Sequence, residues 1–324
     1  MRREIPAHVH VRAAVRDFLA ARVTPGDRIL VGVSGGTDSM ALARVLLDVA
    51  TELTLTPIAL VVDHALQPGS AELAEAVRQR LVSMGFAHAL VRKVNVDVKS
   101  GGGLEAAARN ARHAAFTQVL AEENAIAVLL AHTLDDQAET VLLRLARGSG
   151  TRSLSAMAAE RGAIWRPLLE IRREELESVV AHYGIEIWQD PHNQDPRFLR
   201  VRVRHELMPV FQEILGESVV EALARTASMA RDDNEALDEW AATVAADCDG
   251  GELRIELISG VPKAVGTRVV RRWLLSHGCD GGGLTALHVE QTWRLATHPR
   301  VRGPVKVVGG FSIEKSSGRL RALN

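Results

Sequence analysis

The run Ser34-Gly35-Gly36-Thr37-Asp38-Ser39 has the residue types and spacing of a phosphate site. It follows a short β-rich stretch, Arg28 to Val33, and leads into an Ala- and Leu-rich segment from Ser39 to Glu52. Two residues without Cβ let successive backbone N–H groups turn inward, Ser34 and Ser39 add hydroxyl donors, and a helix behind the turn contributes partial positive charge. A strand, a glycine turn and a helix in that order bind a phosphate group. A Gly-Gly pair alone suits an ordinary tight turn; six matching residues after the first strand favour the phosphate. No Gly-Lys-Ser/Thr follows the glycines and no Gly-x-Gly-x-x-Gly occurs there, which weakens the kinase and dehydrogenase readings.

A second constellation lies in Ala131-His132-Thr133-Leu134-Asp135-Asp136-Gln137-Ala138-Glu139-Thr140. His132 and Asp136 are four apart and Asp136 and Glu139 three apart, so one helix face presents all of them. Thr133 with Asp136 also has the pattern of a capping box, and acids are favoured at a helix N-terminus. Three acids beside a polyphosphate require a cation between the like charges, either Mg²⁺ or a cationic substrate.

The elements that must position these residues are legible in the hydrophobic pattern. Val11, Ala14, Val15, Phe18 and Leu19 recur at helical spacing, and Pro25-Gly26-Asp27 closes that helix. Strands are expected at Arg28–Val33, Ile58–Val62, Ala89–Val94 and Ile126–Ala131. Helices are expected at Ser39–Glu52, Glu72–Met84, Leu104–Asn124 and Asp136–Arg147. Such alternation predicts an α/β fold with a parallel, doubly wound sheet, whose ligands sit beyond the carboxyl ends of the strands. From Gly148 the alternation gives way to a polar loop, then helices near Ile171–Tyr183 and Phe198–Leu215. A boundary near Gly216 divides the chain into residues 1–216, carrying the phosphate loop, and residues 217–324. The second part is a smaller helical, α+β domain with helices near Glu221–Asp249, Lys263–Ser276 and Leu284–Ala296 and short strands near Val305–Val308 and Ser312–Ile313.

Composition excludes several classes. With 324 residues, 47% hydrophobic and 24% charged, the chain is an ordinary globular protein of one large or two average domains of about 150 residues. Its longest apolar run, Ala125 to Ala131, is far short of the ~20 residues that span a bilayer. Met1 to Val23 carries five arginines and no apolar block, so a cytoplasmic location is expected. Cys248 and Cys279 are too few for a disulfide framework or a thiolate zinc site. The net charge is −1, but residues 251–324 hold twelve cations against five acids, so the C-terminal part is basic at +7 and the first 250 residues sum to −8.

Ser-Gly-Gly-x-Asp-Ser after a first buried strand resembles the PP-loop ATP pyrophosphatase superfamily, with its adenine nucleotide alpha hydrolase-like fold. His132 to Thr140, continuing to Leu143-Arg144-Leu145-Ala146-Arg147-Gly148-Ser149-Gly150, is similar to the signature of the tRNA(Ile)-lysidine synthetase family. Further matches are Val62-Asp63-His64-Ala65-Leu66, Glu105 through Arg109 with Arg112, and Arg166-Pro167-Leu168-Leu169. After them come Asp190-Pro191-His192-Asn193 and Phe198 through Arg204, in the family's order over residues 27–209. Ala65 stands where the family usually has Gly, and Val201 where it usually has Asn. The resemblance implies ATP-dependent ligation of free L-lysine to C2 of the wobble cytidine in the CAU anticodon of tRNA(Ile), through an adenylated cytidine. It places ATP against Ser34, Gly35, Gly36, Thr37, Asp38, Ser39, Asp63 and His64, with Asp38 on ATP or its Mg²⁺. It gives lysine to His132, Asp136 and Glu139, and gives Arg112 the orientation of the reacting groups.

His132 or an acid is the expected acceptor of lysine's proton. Arg197, Arg200, Arg202 and Arg204, four cations in eight residues without an acid among them, either bind RNA phosphates or form a solvated surface. Glu105 with Arg109 suits an ordinary i,i+4 ion pair, either Arg109 or Arg112 equally suits a solvated helix charge, and His64 suits packing at a strand end. A homodimer is one assembly open to such a chain. Two other readings remain: a PP-loop tRNA thiolase, which needs reactive cysteines, and a nucleotide- or RNA-binding protein that lost its chemistry.

Overall fold

The structure is a computed structural model that describes residues 5–66, 68–96, 103–148, 150–188, 195–246 and 251–323, the side chain of Glu105 excepted. The expected Asp190–Asn193 motif, Ser149 and Cys248 lie outside the described residues. The chain separates into two compact units, Met1–Ser228 and Met229–Asn324.

In the first unit, α1 (Ala7–Ala20), β1 (Arg28–Val33), α2 (Thr37–Leu53), β2 (Thr56–Asp63), α3 (Ser70–Met84) and β3 (His88–Lys93) follow one another. Next come α4 (Gly103–Glu122), β4 (Ala127–Leu129), α5 (Leu134–Leu145), α6 (Gly150–Leu154), β5 (Glu160–Arg161) and β6 (Ile164–Trp165). The unit continues through α7 (Arg173–Tyr183), α8 (Leu199–Arg202), a π-helical turn at Val203–Leu207 and α9 (Met208–Leu215), into α10 (Val219–Ala246). Six strands form one sheet in the order β3-β2-β1-β4-β6-β5. All neighbours are parallel except β5 and β6, with Leu30 opposite Ile58 on one side and Val128 on the other. Chain order reverses between β1 and β4, the switch point where α/β sheets open a crevice at the strand ends.

Alternation along β1 explains why both faces are covered. Ile29, Val31 and Val33 pack with Val15 and Leu19 of α1, Leu42 and Leu46 of α2 and Leu176 and Val179 of α7. Leu30 points the other way with Ile58, Leu60 and Val128 onto Phe116 and Val119 of α4. A third cluster joins Leu134, Ala138 and Leu142 of α5 to Val203, Met208 and Val220. Fully burying a side chain of this size stabilises by about 1.5–3 kcal/mol, so these clusters fix where the strand ends lie.

Three sequence expectations are corrected in detail. The polar loop after Gly148 holds α6 and the two-residue strands β5 and β6, too short to show periodicity. The helix expected at Phe198–Leu215 is interrupted by the π turn, which wins because it lets Val203 and Met208 share one apolar cluster with α5. In the second unit the strands β7 (Leu253–Arg254) and β10 (Arg319–Leu323) were not legible. They pair with β9 (Ser312–Ser316) and β8 (Val305–Lys306) in an antiparallel sheet of order β7-β10-β9-β8. That sheet packs with α11 (Ile255–Ser259), α12 (Lys263–Ser276) and α13 (Ala286–Thr297) around Val269, Trp273, Leu295, Ile313 and Leu320.

Candidate active site

A cleft of about 860 Å³ opens at the carboxyl ends of β1, β2 and β4. Its lining includes Ser34, Gly36 to Ser39, Asp63, His64, Arg112, His132, Arg173, Trp188 and Arg204. The two motifs that are about a hundred residues apart in sequence flank one switch point because β1 and β4 are neighbours.

The phosphate loop is held open by its own side chains. Ser34 N–H donates to Ser39 Oγ at 3.1 Å, and the Ser39 hydroxyl donates to the Gly36 carbonyl at 3.0 Å. Trp188 N–H donates to the Gly35 carbonyl at 3.0 Å, tying the turn to the chain beyond α7. Gly35 has φ +85°, and a Cβ there would sit 2.7 Å from Val77 Cγ2, so both backbone and packing exclude a side chain. At Gly36 a Cβ would meet only Ser34 Oγ at 3.7 Å. That second glycine leaves the mouth of the turn open to a ligand. Asp38 stands in the first turn of α2.

Asp136 and Glu139 are 6% and 1% exposed, and both are engaged by arginines. Asp136 Oδ2 completes the capping box with the Thr133 N–H at 2.9 Å. Its other oxygen, Oδ1, accepts from Arg173 at 3.1 Å, Arg200 at 3.3 Å and Arg204 at 3.1 Å. Glu139 accepts from Arg204 Nε at 2.7 Å, Arg200 Nε at 2.9 Å and Arg173 Nη1 at 3.4 Å. Arg173 Nε also reaches Asp38 Oδ2 at 3.4 Å, so the two motifs are physically joined. Three carboxylates and three guanidiniums therefore balance in charge.

Electrostatics separate the titratable groups. Burial pushes the Asp38 carboxyl up to about 6, against the opposing pull of Arg173. Burial also raises Asp136, but Arg200 and Arg173 outweigh it and hold that carboxyl at about 2. His132 is pushed down to about 3 by burial, with Arg166, Arg200 and Arg112 adding to the effect against Asp136. Its imidazole is neutral at pH 7, and neither it nor Asp136 is basic enough there to hold a proton taken from an amine.

The sequence-predicted residues fall into three groups, of which Asp136 and Glu139 form one: buried under the arginines, they do not themselves line the cleft. Ser34, Gly36, Thr37, Asp38, Ser39, Asp63, His64, Arg112 and His132 all face the cleft, with Gly35 behind them. Among these, Asp38 Oδ1, His64 Nδ1, Arg112 Nε and His132 Nδ1 are buried without a hydrogen-bond partner among the described residues, as ligand-facing atoms would be. Asp63 instead turns inward, its Oδ1 accepting from the Ala65 N–H at 2.8 Å. Ala65 itself has φ 52°, the conformation that favours the glycine usual in the resembling family. The four arginines divide: Arg200 and Arg204 turn onto Asp136 and Glu139, while Arg197 pairs with Asp195 and Arg202 with Glu206 on the surface.

Arg173 and Trp188 are the functional residues that the sequence reading missed. Arg173 carried a signal: a cation in the first turn of a helix opposes the macrodipole, so it needs carboxylates from elsewhere. As for a metal, no group of three or more His, Cys, Asp or Glu among the described residues is arranged to hold one. The unpartnered Asp38 Oδ1 fits Mg²⁺ in the manner of nucleotide sites, where one or two carboxylates and the phosphates share the ion.

The sequence profile of the PP-loop domain matches residues 7–211. The chain is 46% identical to the tRNA(Ile)-lysidine synthase of Thermobifida fusca over 312 residues, covering 96% of this chain and 94% of that protein. It is 46% identical to the protein of that name from Streptomyces coelicolor, covering 90% and 84%. Among solved structures, the U34-tRNA thiolase NcsA of Methanococcus maripaludis, with its [4Fe-4S] cluster, shares the fold. Its TM-score is 0.58 at 16% identity, over 69% of this chain and 79% of that one. With the phosphate loop, the capped carboxylate helix and a match along nearly the whole length, the chain belongs to the tRNA(Ile)-lysidine synthase family of PP-loop proteins.

Proposed function

We propose that this chain ligates free L-lysine to C2 of the wobble cytidine in the CAU anticodon of tRNA(Ile), consuming ATP and releasing AMP and pyrophosphate. The observation that carries the reading is the cleft in which the phosphate turn and His132 face Arg173 and Arg204, the arginines that hold Asp136 and Glu139 just behind its wall. In the first step the cytidine O2 attacks the α-phosphorus and the bond to pyrophosphate breaks. The amides and hydroxyls of Ser34 to Ser39 fit the departing pyrophosphate. In the second step the lysine ε-amine attacks C2 and the C–O bond to AMP breaks. Asp38 would hold Mg²⁺, which when bound offsets the charge of the triphosphate.

Asp136 and Glu139 fit lysine's ammonium group, and Arg112, whose guanidinium lacks a carboxylate partner among the described residues, fits the charge that develops on the adenylate. The ε-ammonium, with an ordinary pKa of about 10.4, costs about 4.6 kcal/mol to deprotonate at pH 7. Because Arg173, Arg200 and Arg204 already balance the carboxylates, the site adds no net negative charge that would raise that cost. Thiolation is the weaker reading. Cys279, in the second unit, is buried with its thiol pushed up by burial, the opposite of what a sulfur nucleophile needs. No helix among the described residues is long and apolar enough to cross a membrane, which fits an enzyme meeting tRNA in the cytoplasm.

Incubation with labelled lysine, ATP and tRNA(Ile) bearing a CAU anticodon tests the reading. Label should enter the tRNA with one AMP formed per lysine, and tRNA that stays unlabelled sinks it. Sedimentation of the same sample distinguishes a single copy from the homodimer.

A further inference from the structure

A group of arginines on the first unit plays no part in the carboxylate cluster. Arg109 and Arg112 lie about one turn apart on α4, Arg144 is in the last turn of α5, Arg147 lies just past it, Arg161 is on β5, and Arg166 follows β6. Hydrogen bonds bring these distant positions together. Arg144 Nη1 donates to the carbonyls of Ser153 at 2.9 Å and Ala156 at 2.8 Å. Gln137 exchanges bonds of 2.9 and 2.8 Å with the Met157 backbone, and Arg166 Nη1 donates to the Ala158 carbonyl at 2.9 Å. The segment leading to β5 is thereby strapped to α5 and to the end of β6.

Arg161 stands opposite Ile164 across β5 and β6 and the Arg166 N–H donates to the Ala159 carbonyl at 2.8 Å, so this edge holds its cations close enough to act on one another. Arg166 is pushed down to about 10, by burial first and then by Arg109, Arg161 and Arg112. Arg144 is lowered by burial and then by Arg109, Arg147, Arg161 and Arg200, and the His113 imidazole is lowered by burial and then by Arg112, Arg109, Arg166 and Arg161. Glu160, the acid beside Arg161 on β5, is committed to Arg22 at 2.6 Å. Arg109, Arg147 and Arg161 are exposed and form no ion pair among the described residues. An arginine-rich composition does not account for this, because Arg12, Arg16, Arg22, Arg28, Arg44, Arg78 and Arg92 each pair with an acid. Bringing like charges together without counter-ions is unfavourable, and a polyanion that releases its own counter-ions on binding offsets it.

We propose that Arg109, Arg147 and Arg161 form a docking surface for RNA backbone phosphates on the nucleotide-binding unit, leading to the cleft at Arg112. The proposal rests on the tRNA-modifying function in naming RNA as the polyanion. It is separate from the Arg197–Arg204 run, half of which is spent on Asp136 and Glu139.

The test compares the full chain with the triple variants Arg109→Ala/Arg147→Ala/Arg161→Ala and Arg109→Lys/Arg147→Lys/Arg161→Lys. Dissociation constants for an unmodified tRNA(Ile) transcript are measured from 50 to 200 mM salt, and ATP affinity alongside. The alanine variant should bind tRNA at least about tenfold more weakly and lower the slope of log affinity against log salt by about 2 to 3, as three lost phosphate contacts require. The lysine variant should stay near the parent, and ATP affinity should be unchanged in all three. Parental tRNA affinity and slope in the alanine variant overturn the proposal, as does a lysine variant as weak as alanine or a parallel loss of ATP binding. A parent that binds tRNA but attaches no lysine sinks the proposed reaction and leaves the surface standing.

Discussion

Because Asp136 Oδ2 is consumed by the cap on α5 and only Oδ1 faces the arginines, removing its charge acts on folding and site together. Glu139 has no capping role, and its two oxygens serve the cluster alone. Asp136→Asn and Glu139→Gln should both weaken lysine use more than ATP binding, and each should lower stability by about 1–3 kcal/mol as guanidiniums lose a charged partner. Lysine-dependent and ATP-binding titrations beside urea melts separate the effects; equal loss of lysine and ATP affinity counts against the pocket. His132 gives the pH-dependent test. With its folded pKa near 3 against an ordinary value near 6.5, the unfolded chain binds the proton first, so this residue's contribution to stability falls as pH drops from about 6.5 toward 3. Its imidazole resonances should stay those of the neutral ring at pH 5, and a midpoint near 6.5 would show the ring to be solvated. Helical spacing pointed to Asp136 and Glu139, but His132, expected on the same helix face, stands before the N-cap Thr133 and faces the cleft by itself. Spacing could not show that three arginines would already occupy the carboxylates, since Arg173, Arg200 and Arg204 reach them only through tertiary packing.

At the scale of elements, the strands and helices that carry the site were legible because their apolar periods are long. β1 and α12 match their expected bounds, and α2, α3 and α4 differ by a residue or two. What stayed hidden was short or irregular: the two-residue strands β5, β6 and β7, and the π turn that carries Arg204 to Glu139. A π turn has no periodic signature and often marks a functional position. The phosphate turn, by contrast, is written in its glycines, and the two are not equivalent. Gly35→Ala forces both a disfavoured φ and a contact of 2.7 Å with Val77, so ATP affinity should fall by at least about tenfold, or 1.4 kcal/mol, with the α2 start displaced. Gly36→Ala keeps the free loop geometry and obstructs only a bound phosphate, so its melting temperature should match the parent while ATP binding weakens. If both variants melt as the parent does and bind ATP equally well, the turn is not the phosphate site.

For the whole molecule, the acidic and basic halves of the charge distribution make a prediction that net charge of −1 conceals. ATP is met by a small set of fixed donors inside the cleft, where screening by salt is weak. A tRNA backbone is met by exposed arginines spread over the surface, and each phosphate contact releases counter-ions. The second unit, whose small sheet packs with α11 to α13 and the end of α10 around a core of its own, joins the basic stretch of residues 251–324 to the acidic end of α10. Raising salt from 50 to 200 mM should therefore cut tRNA affinity by about 10³-fold or more if six phosphates are contacted, and change ATP affinity little. Neutralising Arg271, Arg272, Arg294 and Arg302 in the intact chain should reduce the salt slope further than three substitutions on the first unit alone, because both units then lose phosphate contacts when the two sets are combined. The combined variant should retain ATP binding, since none of these residues lines the cleft. A salt slope that is the same in the parent and in the combined variant would mean that the RNA is held by hydrogen bonds and shape instead of charge, and the basic C-terminal stretch would then owe its composition to something other than tRNA.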